Sequence, residues 1–84
     1  LLYYFNKNIE IDFCVPSAQL AIQVSYNLND EATYEREVGA LIKFLKAFPG
    51  YHGYIITRDY ETQIEADGHT IEVVPIWKWL LQSR

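Results

Sequence analysis

Methionine is absent from all 84 residues, even position 1, and the chain opens directly on the strand-like run Leu1-Leu2-Tyr3-Tyr4-Phe5. A natural chain starts with methionine, so upstream residues are expected, and with them further core-forming elements and chemistry. The single cysteine, Cys14, cannot close an internal disulfide. That sets aside the stapled secreted scaffolds and points to a reducing, cytoplasmic setting. No apolar run approaches the roughly 18–20 residues that span a bilayer, and no basic start with an apolar core marks a signal peptide. A soluble domain with no membrane contact is expected. Positive charge is scarce: Lys and Arg total 7 against 11 Asp and Glu, a net charge of -4. The cations are scattered, so strong autonomous binding to a phosphate backbone is not expected.

Other absences narrow the chemistry. The glycines Gly39, Gly50, Gly53 and Gly68 are dispersed, whereas a phosphate-cradling loop needs them clustered ahead of a Lys and a Ser or Thr. Cys14, His52 and His69 fall short of the four ligands of a structural zinc site. For a Ser-His-Asp triad, Ser17 and Ser83 lie at a turn and at the chain end, and Ser25 has no nucleophile elbow around it.

What is present suffices for one core. Half of the residues are apolar and 15% are aromatic, which describes one domain over residues 1–84. A chain of this size buries only about 60–65% of its unfolded surface, so it gains from packing against something else.

Residues 2–7 and 9–15 read as two strands joined by a tight turn at Lys7-Asn8. Alternation in the second puts Ile9, Ile11, Phe13 and Val15 on one face and Glu10, Asp12 and Cys14 on the other. Pro16-Ser17 ends it. Gln19 to Tyr26 is a third strand, with Leu20, Ile22, Val24 and Tyr26 opposite Ala21, Gln23 and Ser25. Asp30 and Glu31 then favour a helix start near residue 30. Tyr34, Val38, Leu41, Ile42, Leu45 and Phe48 form the apolar stripe of a helix about 17 residues long, stopped by Pro49-Gly50. Gly39 interrupts that helix, as a close approach by another backbone would require.

Tyr54-Ile55-Ile56-Thr57 reads as a central strand buried on both faces. Asp67-Gly68 joins two alternating runs, 62–66 and 69–74, as a hairpin. Pro75 suits the first position of a closing helix, 76–81. Its Trp77 and Trp79 are expected to anchor it on the sheet. The order β-β-β-α-β-β-β-α predicts an α/β fold, an α+β mixed sheet with the long helix on one face and little over the other.

Glu10 and Asp12 share one strand face, and Gln23 and Ser25 share the matching face of the next strand. All four are expected to meet on the sheet. Carboxylates there suit Mg²⁺, whose hard oxygen ligands support phosphodiester cleavage; a solvated or helix-covered polar face is the plainer alternative.

Four segments carry a family resemblance: Glu10-Ile11-Asp12-Phe13, Ala21-Ile22-Gln23-Val24-Ser25-Tyr26, Asp30-Glu31-Ala32-Thr33-Tyr34-Glu35-Arg36-Glu37 and Val74-Pro75-Ile76-Trp77-Lys78-Trp79-Leu80-Leu81. The chain resembles the C-terminal domain of unknown function of prokaryotic AAA+ ATPases, which is similar to PD-(D/E)xK nucleases. The resemblance implies a restriction-endonuclease-like core whose first helix precedes this chain, in a fragment of a larger ATPase. It places Asp12 at the first metal-binding acid and Gln23-Val24-Ser25 at the (D/E)-x-K position. Gln23 thus offers an amide where the pattern has a carboxylate, and Ser25 lacks the lysine's charge.

The resulting expectation is a non-catalytic nuclease-like recognition or assembly module, with ATP hydrolysis in the portion that is absent and no cofactor in this fragment. The alternatives are a metal-dependent nuclease with a rearranged site, holding Mg²⁺ on Glu10 and Asp12, and a DNA-binding domain. Partners are expected to be the ATPase portion of the same chain, a second copy meeting the uncovered sheet face, or a DNA or protein partner.

Overall fold

A computed structural model of the chain describes residues 2–6 and 9–82, with side chains from residue 10 onward. Its elements are β1 (Leu2–Asn6), β2 (Ile9–Val15), a short 3-10 turn, β3 (Leu20–Val24), α1 (Glu31–Ala47), β4 (His52–Thr57), β5 (Thr62–Ala66), β6 (His69–Pro75) and α2 (Ile76–Gln82). The strands form one six-stranded sheet in the order β1-β2-β3-β4-β6-β5. β3, β4 and β6 run parallel to one another, and β1, β2 and β5 are attached antiparallel. The expected mixed α/β sheet is present. The turn expected at Lys7-Asn8, the side chain of Ile9 and residue Ser83 lie outside the described residues.

The long helix forms where its sequence directs. Asp30 caps it, its carboxylate accepting from the Thr33 backbone N–H at 3.0 Å and from Thr33 Oγ1 at 2.7 Å. Those bonds hold the Asp30 carboxyl below its ordinary range. Val38, Leu41, Ile42, Phe44 and Leu45 are buried against the sheet. Phe44 belongs to this core although it falls outside the expected stripe, while Tyr34 and Phe48 are partly exposed at its ends. Phe44, three residues after Leu41, satisfies the helical spacing as well; its ring meets Phe48 at 4.7 Å between centroids and Tyr51 edge-on at 5.1 Å. Gly53 on β4 permits close seating of the helix: a Cβ there would meet Leu45 Cδ1 at 3.0 Å.

β4 is central, with Ile55 beneath α1 and Ile56 on the opposite face. The Asp67-Gly68 hairpin is also present, both residues having positive φ, at 52° and 79°, the conformation that a two-residue turn of this kind requires.

Three expectations are corrected. β1 and β2 pair as Leu2↔Cys14 and then Tyr4↔Ile11, so two steps on β1 match three on β2. This bulge reverses the alternation. Ile11 and Cys14 both lie in the core under α1, while Phe13 and Val15 line a groove on the other face with Trp79. Pro75 is the last residue of β6, paired with Thr57, and α2 starts one residue later. Trp77 does not anchor α2: it is 56% exposed. Of the two tryptophans it is Trp79 that rests on the sheet, edge-on to Tyr54 with ring centroids 5.0 Å apart, because only one side of a seven-residue helix can meet the sheet. No helix among the described residues is long and apolar enough to cross a membrane.

Gly39 lies within α1 with nothing within 4 Å of the position a Cβ would take, so no neighbour offsets the low helix propensity of glycine. Gly39→Ala is expected to raise the Tm by about 4–8 °C, read by calorimetry.

Candidate functional site

The site forms where β2 and β3 part. Regular pairing runs through Val15↔Leu20, Cys14↔Ala21 and Phe13↔Ile22. Beyond that point the strands are joined through side chains. The Gln23 side-chain carbonyl accepts from the Asp12 backbone N–H at 2.8 Å, and its Nε2 donates to the Glu10 carbonyl at 3.1 Å. The Asp12 carboxylate in turn accepts from the Val24 backbone N–H at 2.9 Å. One amide thereby replaces one rung of the ladder, and a carboxylate replaces the next. On its other edge β3 stays paired to β4, with Gln23↔Ile55 and Val24↔Ile56 in parallel register. The parting is therefore confined to the β2 side.

Gln23 is 1% exposed. Burying an amide is costly unless its donors and acceptor find partners, and here the β2 backbone supplies them. This fixes the side chain with its carbonyl already engaged.

Above this clasp α1 forms the wall of a cleft of about 460 Å³. Glu10, Asp12 and Gln23 line it from the sheet, and Glu35, Arg36, Glu37 and Lys43 line it from the helix, with the small Gly39 and Ala40 between. Three of the four residues expected to meet are brought together. Ser25 is not among the lining residues; it follows the end of β3, buried, with its N–H bonded to the Ile56 carbonyl at 2.9 Å.

The helix residues of this cleft are absent from the expected site. Arg36, Ala40 and Lys43 recur at helical spacing beside the apolar stripe. That pattern marks the helix side next to the core; which strand it faces depends on the tertiary fold.

Glu37 carries the clearest electrostatic mark of the site. Partial burial pushes its carboxyl above the ordinary 4.5, the charges of Asp12 and Glu10 push it the same way, and Arg36 opposes them.

In the clasp the Gln23 oxygen and one Asp12 oxygen each accept from a backbone N–H group. Among the described residues no group of three or more His, Cys, Asp or Glu side chains is arranged to hold a metal ion.

The chain is 38% identical, over 88 aligned residues covering 96% of its length, to the uncharacterized protein MJ1544 of the archaeon Methanocaldococcus jannaschii. It spans 20% of that relative's length. No family model and no solved structure matches the chain.

Two variants test this account. Gln23→Glu puts a buried carboxylate opposite the Glu10 carbonyl and removes the donor. It is expected to destabilise the domain by about 3 kcal/mol at neutral pH in urea unfolding. Part of the loss should return in mild acid, where a protonated carboxyl can donate again. For Glu37, a raised folded pKa means that the native state binds more protons than the unfolded chain as pH climbs past 4.5. Stability from this group is present in acid and falls as pH rises through that window. Glu37→Gln should therefore have a Tm advantage over the parent at neutral pH that shrinks toward zero as pH drops below 4.5.

Proposed function

We propose that the chain is a non-catalytic nuclease-like module, with the restriction-endonuclease-like core that its resemblance implies, serving recognition or assembly within a larger cytoplasmic AAA+ ATPase of a prokaryote. The observation that carries this reading is the double engagement of the Gln23 amide. The position where the nuclease pattern has a metal-binding carboxylate is used here to close the gap between β2 and β3. Ser25, at the position of the lysine, stands outside the cleft lining. ATP binding and hydrolysis belong, in this reading, to other parts of the polypeptide. The exposed apolar side chains of Phe13, Val24, Ile76 and Leu80 supply a surface for that portion or for a second copy.

One observation favours the rearranged-site alternative: Glu37 and Lys43 line the same cleft as Asp12, which puts a further carboxylate and a cation near it. A DNA-binding role finds less support, since the cleft has four carboxylates against two cations and phosphates are repelled by such a balance.

The test is incubation of the 84-residue chain with Mg²⁺ or Mn²⁺ and single- or double-stranded DNA and RNA. The expected result is no cleavage above that of Asp12→Ala. Metal-dependent cleavage lost in Asp12→Ala, and also in Glu37→Gln or Lys43→Ala, would replace this reading with the rearranged nuclease.

A further inference from the structure

Gly39 stands at the centre of an open surface. The carboxylate-rich cleft lies on one side of it, and on the other is a hollow of about 380 Å³ between α1 and the β5–β6 hairpin, with Val38, Ile42 and Ala66 in its wall. Glu35, Gly39 and Lys43, spaced by four residues, line both spaces. The two hollows thus adjoin along α1 at these shared residues, and we treat them as one groove across the helix.

Nothing among the described residues accounts for a glycine there. The residue has helical backbone geometry, and nothing lies within 4 Å of where its Cβ would project. A larger residue would fit and would favour the helix. What its absence provides is room: the distance between crossing helices is set by the side chains at the contact, and a glycine permits the shortest.

The charge distribution selects the occupant. The cleft has four carboxylates and two cations, and Lys46, at the rim of the hollow, is already paired with Asp67 at 3.1 Å. A second copy of this chain, itself at -4, and a nucleic acid are both disfavoured by that balance.

We infer that the groove across α1 docks a basic amphipathic helix from a protein partner. The partner backbone crosses at Gly39, a Lys or Arg enters the cleft between the β2 carboxylates and Glu37, and an apolar side chain enters the hollow beside Tyr34 and Ala66, whose floor is Val38 and Ile42. This is the helix-in-groove mode of recognition, and it rests on the reading of the domain as a recognition module by giving that module its surface and partner chemistry.

The test is a titration of the ¹⁵N-labelled chain, followed by amide chemical shifts, with a helical peptide of Lys, Leu and Ala. A counterpart with Glu in place of Lys and a short DNA duplex serve as comparisons. Expected are saturable shifts in residues 35–46 with the basic peptide alone, weakened by added salt. Affinity should fall roughly tenfold in Gly39→Leu and also in Glu37→Gln, each retaining the parent far-UV circular dichroism. Absence of saturable shifts, equal shifts with the acidic peptide or the duplex, shifts confined to the α2 face, or undiminished binding by Gly39→Leu would overturn the inference. Nucleic-acid cleavage together with intact peptide docking would remove the recognition reading and leave this surface standing. No docking and no cleavage would remove the surface alone.

Discussion

The two hydrogen bonds of the Gln23 amide to the β2 backbone set the geometry on which the rest of the site depends. Where β2 and β3 diverge, two backbone groups of β2 lose their opposite numbers, and an unpaired backbone group away from water is expensive. Gln23 answers both with one side chain, one donor to the Glu10 carbonyl and one acceptor from the Asp12 N–H. A carboxylate has the wrong complement for that task, having no donor. The amide is thus matched to strand closure, with one lone pair of its oxygen already in use.

Asp12 completes the closure from the other direction by accepting from the Val24 N–H. Glu10, Glu35 and Glu37 line the same cleft, together with the cations Arg36 and Lys43. Partial burial, with the charges of Asp12 and Glu10 acting the same way, raises the Glu37 carboxyl. A cleft with this excess of negative charge repels a phosphate backbone and favours a positively charged side chain.

Much of this architecture was legible in the residues. The limits of α1 followed from Asp30 and from the spacing of Val38, Leu41 and Leu45, and the Asp67-Gly68 turn from backbone chemistry that few other pairs tolerate. The proximity of Asp12 and Gln23 followed from strand alternation on adjacent strands, whereas Glu10 joins them across the bulge. Two features were not readable. The bulge in β2 depends on how β1 pairs with it, so a strict period of two misplaced Phe13 relative to Ile11. The helix wall of the cleft depends on which side of α1 faces β2, a tertiary relation that periodicity leaves open. Trp77 illustrates a third limit: in a helix of seven residues with apolar side chains on several sides, composition does not say which one meets the sheet.

The placement of β4 has a kinetic corollary. Both of its neighbours are parallel to it, and neither is adjacent in sequence: β3 is reached across the whole of α1, and β6 only after β5 has turned back. No local hairpin can therefore stabilise the centre of the sheet ahead of the rest. Loop closure must precede the reward of the central contacts, so the middle of the domain assembles cooperatively, and no fragment ending between β3 and β6 retains a complete core.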